Sequence, residues 1–68
     1  MNYYIKERHN PQLGIYYVAC GKMTKKVAKA YEDRPLYGTN YMLSFKTKKE
    51  YNDKLDSLRA TGESVRVQ

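Results

Sequence analysis

Tyr4, Lys6 and Arg8 alternate near the start of the chain, and a period of two puts one aromatic ring and two cations on the same side of a β-strand. Tyr16, Lys46 and Arg66 recur in three other extended-looking segments, where they can extend that row across a sheet. A second group, Lys22, Lys25, Lys26 and Lys29, places four lysines within eight residues. Rings that stack on bases, set among cations that neutralise phosphates, are the chemistry of a nucleic-acid platform. The lysine run adds an electrostatic contact of the kind that holds phosphates. The bland alternative for each group is a solvated face, on which Lys and Arg are ordinary residents.

Other chemistries have less to work with. The conventional catalytic side chains besides acids are His9 and Cys20, each the sole residue of its type. His9 falls in a turn and Cys20 at the far end of the next strand, so a Cys–His nucleophilic couple is not expected. One Cys and one His do not furnish a zinc site, and no metal or cofactor is expected. Glu50, Asp53 and Asp56 are spread among lysines and read as the exposed face of a helix. Arg, Lys and Tyr alone can run a small ribonuclease, but no catalytic motif is present, so the chain reads as a non-enzyme.

The whole composition supports a basic binder. Thirteen Lys and Arg stand against seven Asp and Glu, for a net charge of +6, and eight of the 68 residues are Tyr. The excess is concentrated: residues 22–46 hold six cations and two acids. Such a surface attracts polyanions or acidic protein surfaces. Tyr and Arg are also favoured at protein interfaces, so the alternative is a protein-interaction module, either a homodimer or an inhibitor-like partner of an acidic surface. A single thiol, no signal-peptide core and no long apolar run predict a cytoplasmic setting with no membrane.

One domain, 1–68, must position these groups. YYIKER and IYYVAC are rich in β-formers and flank a turn containing Asn10, Pro11 and Gly14, which predicts a hairpin of strands 2–8 and 14–20. Gly21 reads as the end of the second strand. Thr24 is an N-cap candidate for a helix at about 25–33, with Val27, Ala28 and Tyr31 as its apolar stripe. Its first turn carries Lys25 and Lys26, the wrong sign for the helix dipole, which hints at another use for them. Arg34-Pro35 ends it, and Leu36 to Thr39 form a loop.

Residues 40–46 alternate, with Tyr41, Leu43 and Phe45 inward and Asn40, Met42, Ser44 and Lys46 outward. Thr47 and Glu50 fit a capping box that opens a helix over 48–60, with Tyr51, Leu55 and Leu58 as its stripe. Gly62 closes that helix as the left-handed residue. A last strand at 64–68 turns Val65 and Val67 inward. Phe45, under the Tyr51/Leu55/Leu58 stripe, is expected at the centre of the core. The predicted fold class is α+β, in β-β-α-β-α-β order, with one mostly antiparallel sheet and the helices packed on one face. The opposite face, carrying Tyr4, Lys6, Arg8, Met42, Ser44, Lys46 and Arg66, together with Tyr16 if the second strand pairs in the matching register, would then lie open as the binding surface.

Overall fold

The computed structural model describes residues 1–31 and 39–67. The expectations for Arg34-Pro35 and for Leu36 to Gly38 lie outside these residues, as does the last part of the first predicted helix. The element order is β1 (Asn2–Asn10), β2 (Gly14–Met23), α1 (Lys25–Tyr31), β3 (Thr39–Phe45), α2 (Lys48–Ala60) and β4 (Ser64–Val67). The order and the α+β class match the sequence reading.

The hairpin, the two helix starts and the end of α2 each have a local cause. Asn10 Oδ1 accepts hydrogen bonds from the amides of Gln12 and Leu13 at 2.8 and 2.9 Å, and Gly14 takes φ +83°, so the β1–β2 hairpin turns tightly. Thr24 Oγ1 accepts from the Val27 amide at 3.2 Å and caps α1. Thr47 Oγ1 accepts from the Glu50 amide at 3.2 Å and caps α2. At the other end of α2, the Glu63 amide donates to Leu58 O and the Gly62 amide to Arg59 O, with Gly62 at φ +80°. That pair of bonds is a Schellman closure, with Gly62 in the left-handed position.

Gly21 does not end β2. It takes φ +81° where the β1–β2 register shifts between Tyr4 and Ile5, and the ladder continues to Met23 opposite Asn2. A glycine with positive φ lets a strand absorb one extra residue as a bulge instead of breaking.

The strand order is β3-β1-β2-β4. β1 pairs antiparallel with both β2 and β3, and β4 pairs parallel with β2, so the sheet is mostly antiparallel. β2, β3 and β4 therefore all run in the same direction. The chain steps one way across the sheet from β2 to β3 through α1. It steps back the other way from β3 to β4 through α2.

This double step changes one expectation. The helices do not share a face. Ile5, fully buried, packs with Ala19 against Leu55 and Leu58 of α2, with Tyr17, Leu43, Phe45, Tyr51 and Val65 around them. The next residue back, Tyr4, packs with Met23 against Ala28 of α1, with Cys20, Tyr31 and Met42 around them. Neighbouring residues of a strand point to opposite faces, so α1 and α2 cover opposite sides of the sheet. Two parallel crossovers of the same hand that step in opposite directions require this, and nearly all such crossovers are right-handed.

Three expectations of burial also change, although Phe45 does face α2 as expected. Tyr41 is 51% exposed and Val67 78%, and both lie on edge strands of the sheet. Phe45 is only partly buried, since it lies on edge strand β3, and Ile5 occupies the centre instead.

Candidate nucleic-acid interface

The α1 side of the sheet receives Tyr4, Lys6 and Arg8 from β1, Tyr16 and Val18 from β2, Asn40, Met42 and Ser44 from β3, and Arg66 from β4. The register brings them together, pairing Arg8 with Tyr16, Lys6 with Met42 and Val18 with Arg66. The Arg66 guanidinium lies 4.4 Å from the centroid of the Tyr16 ring. Arg8 Nη1 donates to Asn40 Oδ1 at 2.9 Å, and Asn40 Nδ2 donates to the Tyr31 carbonyl at 3.3 Å. This chain of bonds fixes Arg8 against the end of α1 and satisfies the buried Asn40. Lys6 Nζ sits 5.8 Å from the centroid of the Tyr31 ring.

Four of the sequence-selected residues thus converge: Lys6, Arg8, Tyr16 and Arg66. The others are placed differently. Tyr4 is 6% exposed and forms core beneath α1, so its ring is not a stacking surface. Lys25 and Lys29 border a groove over Tyr4. Lys26 lies beside Val27, Ala30 and Tyr31 at another part of α1. Lys22 is a strand residue opposite Tyr3, which the register assigns to the α2 side, away from the α1 lysines. Lys46 is exposed, one residue past the end of β3.

Sequence reasoning named Met42 on this face but did not single out Asn40 and Tyr31 as parts of it. The alternation in β3 placed Asn40 and Met42 on the correct side. The missing signal was topological: a parallel step from β2 to β3 carries α1 onto that side.

Charge divides across the sheet. Among the described residues, the α1 side carries Lys6, Arg8, Arg66 and the three lysines of α1, with no acid. The described acids lie on the α2 side or on α2 itself. Glu7 bonds His9 Nε2 at 2.8 Å and also faces the Tyr17 hydroxyl. Burial, then the nearby Glu7 carboxylate, pushes the Tyr17 hydroxyl above the ordinary tyrosine range, with Glu63 adding to the effect. Asp53 pairs with Lys49 at 2.9 Å and Asp56 faces Arg59 at 3.9 Å, both on the exposed face of α2.

His9 and Cys20 are kept apart. His9 packs edge-on against Tyr41 on the α2 side, whereas Cys20 joins the core under α1. Burial raises the Cys20 thiol above its ordinary range, partly offset by Lys6. Among the described residues no group of His, Cys, Asp and Glu is arranged to hold a metal ion, and no helix is long and apolar enough to cross a membrane. Compared with known proteins, the chain matches no family model, no curated relative and no solved structure.

Proposed function

We propose that this chain is a non-enzymatic nucleic-acid-binding module whose contact surface is the α1 side of the sheet. The segregation of charge supports this reading. Cations on that side stand without a described acid among them, while the described acids gather on the other side, beside cations of their own. A polyanion is drawn to a face of one sign, and released counterions supply most of the binding free energy. Tyr16, between Arg8 and Arg66, provides a ring and guanidinium planes on which a base can stack.

Fluorescence anisotropy with single-stranded DNA, duplex DNA and RNA across a salt series tests this. Binding should weaken steeply with salt. Arg8→Gln with Arg66→Gln should weaken it, while Lys48→Gln with Lys49→Gln on α2 should leave it nearly unchanged. No binding at low salt, or equal sensitivity to both pairs, would sink the proposal.

One observation favours a second reading, self-association. Edge strand β3, TNYMLSF, presents seven residues with neither a charge nor a proline. Soluble proteins usually blunt such edges. Light scattering that shows a dimer, abolished by Tyr41→Lys, would support a β3-to-β3 pairing.

A further inference from the structure

A groove of about 470 Å³ runs between α1 and the sheet, within the size range of small-ligand sites. Buried Tyr4 and half-buried Met42 lie along it. Lys25 and Lys29, one helical turn apart, border it from α1. Asn2 and Ser44 border it from the sheet, with Asn2 Nδ2 donating to Ser44 Oγ at 3.0 Å, which leaves the serine hydroxyl hydrogen free to donate. A smaller hollow shares Asn2, Tyr4 and Lys25 and continues past Thr24 to Met1. Neither lysine has an ion-pair partner among the described residues. The groove therefore combines two cations with no described ion-pair partner, an apolar wall and two short hydrogen-bonding side chains.

That combination suits a ligand with an anionic end and a flat, partly apolar body. An anion alone leaves the Tyr4 and Met42 wall unused, and an apolar molecule alone leaves the two ammonium groups unpaired. The groove also lies on the same side of the sheet as Lys6, Arg8 and Arg66, so one strand can cross the sheet and enter it.

We propose that the groove between α1 and the sheet takes one phosphorylated nucleotide of a bound strand. The phosphate contacts Lys25 and Lys29, the base lies against Met42, and Asn2 and Ser44 meet its polar edge. This inference rests on the nucleic-acid reading of the face, and it adds a defined subsite to it.

Methionine-methyl NMR on the full chain tests it, because Met42 lines the groove, Met23 lies in the core under α1, and Met1 is exposed. The probes are nucleoside monophosphates, the matching nucleosides, inorganic phosphate and a short oligonucleotide. A monophosphate should shift the Met42 methyl saturably. Lys25→Ala with Lys29→Ala should weaken that binding about tenfold or more, as expected on losing charge-assisted contacts. The nucleoside or inorganic phosphate should bind markedly more weakly.

If the oligonucleotide binds by anisotropy while no probe moves Met42, the subsite is wrong and the face reading survives. If nothing binds by either method, both fail. If inorganic phosphate shifts Met42 as strongly as the nucleotide does, the groove is an anion site and the nucleotide assignment is overturned.

Discussion

Arg66 on β4 rests its guanidinium over the ring of Tyr16 on β2, and Arg8 on β1 is paired directly opposite that same tyrosine. Three adjacent strands thus bring one ring and two planar cations together. The ring already carries a guanidinium, so a base can stack on the outer plane of Arg66 as well as on Tyr16. Tyr16→Leu should weaken single-strand binding by about 1–3 kcal/mol, the usual worth of one stacked base. Tyr16→Phe should bind nearly as the parent does. Arg66→Gln should lower the salt slope by about 1, reporting one lost phosphate contact. Anisotropy at several salt concentrations checks all three. A leucine variant with parental affinity would remove Tyr16 from the contact surface.

Gly62 should resist substitution for a conformational reason alone. Its φ of +80° is a left-handed value, and a Cβ added there meets no atom within 4 Å. Gly62→Val should therefore cost about 1 kcal/mol or more, all of it from backbone strain. Gly62→Asn should cost less, because asparagine tolerates that region. Thermal or urea melts would show the order. Equal losses for Val and Asn would mean that the closure of α2 does not depend on the left-handed residue.

Much of this fold is written in local signals, and what is not written locally is the relation between elements. Thr47 at the α2 cap, Gly62 at its close and Asn10 with Gly14 in the hairpin each act within a few residues, so their effects are readable directly. The alternation through Leu43 and Phe45 likewise gives the side of β3 that meets α2. Gly21 misleads because a lone glycine after a β-rich run reads equally as a stop or as a bulge. Only pairing with Tyr4 and Ile5 decides between them. Tyr4 misleads for a wider reason. Its face depends on where α1 lies, and that depends on the strand order β3-β1-β2-β4, which no local pattern encodes. The candidate site divides in the same way. Lys6, Arg8 and Arg66 follow from a period of two, Tyr16 joins them only through the β1–β2 register because both faces of β2 are apolar, and the groove beside Lys25 and Lys29 exists only once α1 is seated.

Cys20 offers a pH-dependent test of the core under α1. Burial raises its thiol above the ordinary range, and Lys6 opposes the rise without cancelling it. The folded chain thus keeps the thiol proton at pH values where the unfolded chain has lost it. Between the unfolded and the folded pKa, stability falls as pH rises, and below the unfolded pKa this group contributes no pH dependence. Because the thiolate is the reacting form, alkylation should be slow at neutral pH. Its rate should rise at higher pH than for an unfolded control in urea. Coincident profiles in native and urea-unfolded protein would show that Cys20 is not held in the α1 core.

The two-sided core makes a ranking of truncations informative. Ile5 is the one fully buried large side chain among the described residues, and it sits where Leu55 and Leu58 of α2 meet the sheet. Phe45 lies on an edge strand, partly exposed, with its ring edge-on to Tyr51 at 6.5 Å between centroids. Removing buried side-chain atoms costs their transfer free energy and leaves a cavity, together about 2–5 kcal/mol for Ile→Ala. At a half-buried edge site the neighbours can relax and water can enter, so Phe45→Ala should cost less, about 2 kcal/mol. A core of this size rarely supplies more than about 3–5 kcal/mol in total. Ile5→Ala should therefore be largely unfolded at room temperature, while Phe45→Ala stays folded with a lowered midpoint. Ile5→Val, about 1 kcal/mol down, keeps the comparison readable if the alanine variant cannot be purified. Melts in which Phe45→Ala loses more stability than Ile5→Ala would move the centre of the core to β3. The assignment of Lys6 and Arg8 to the α1 side would stand even then, since Ile5 and Phe45 share the α2 side of the sheet.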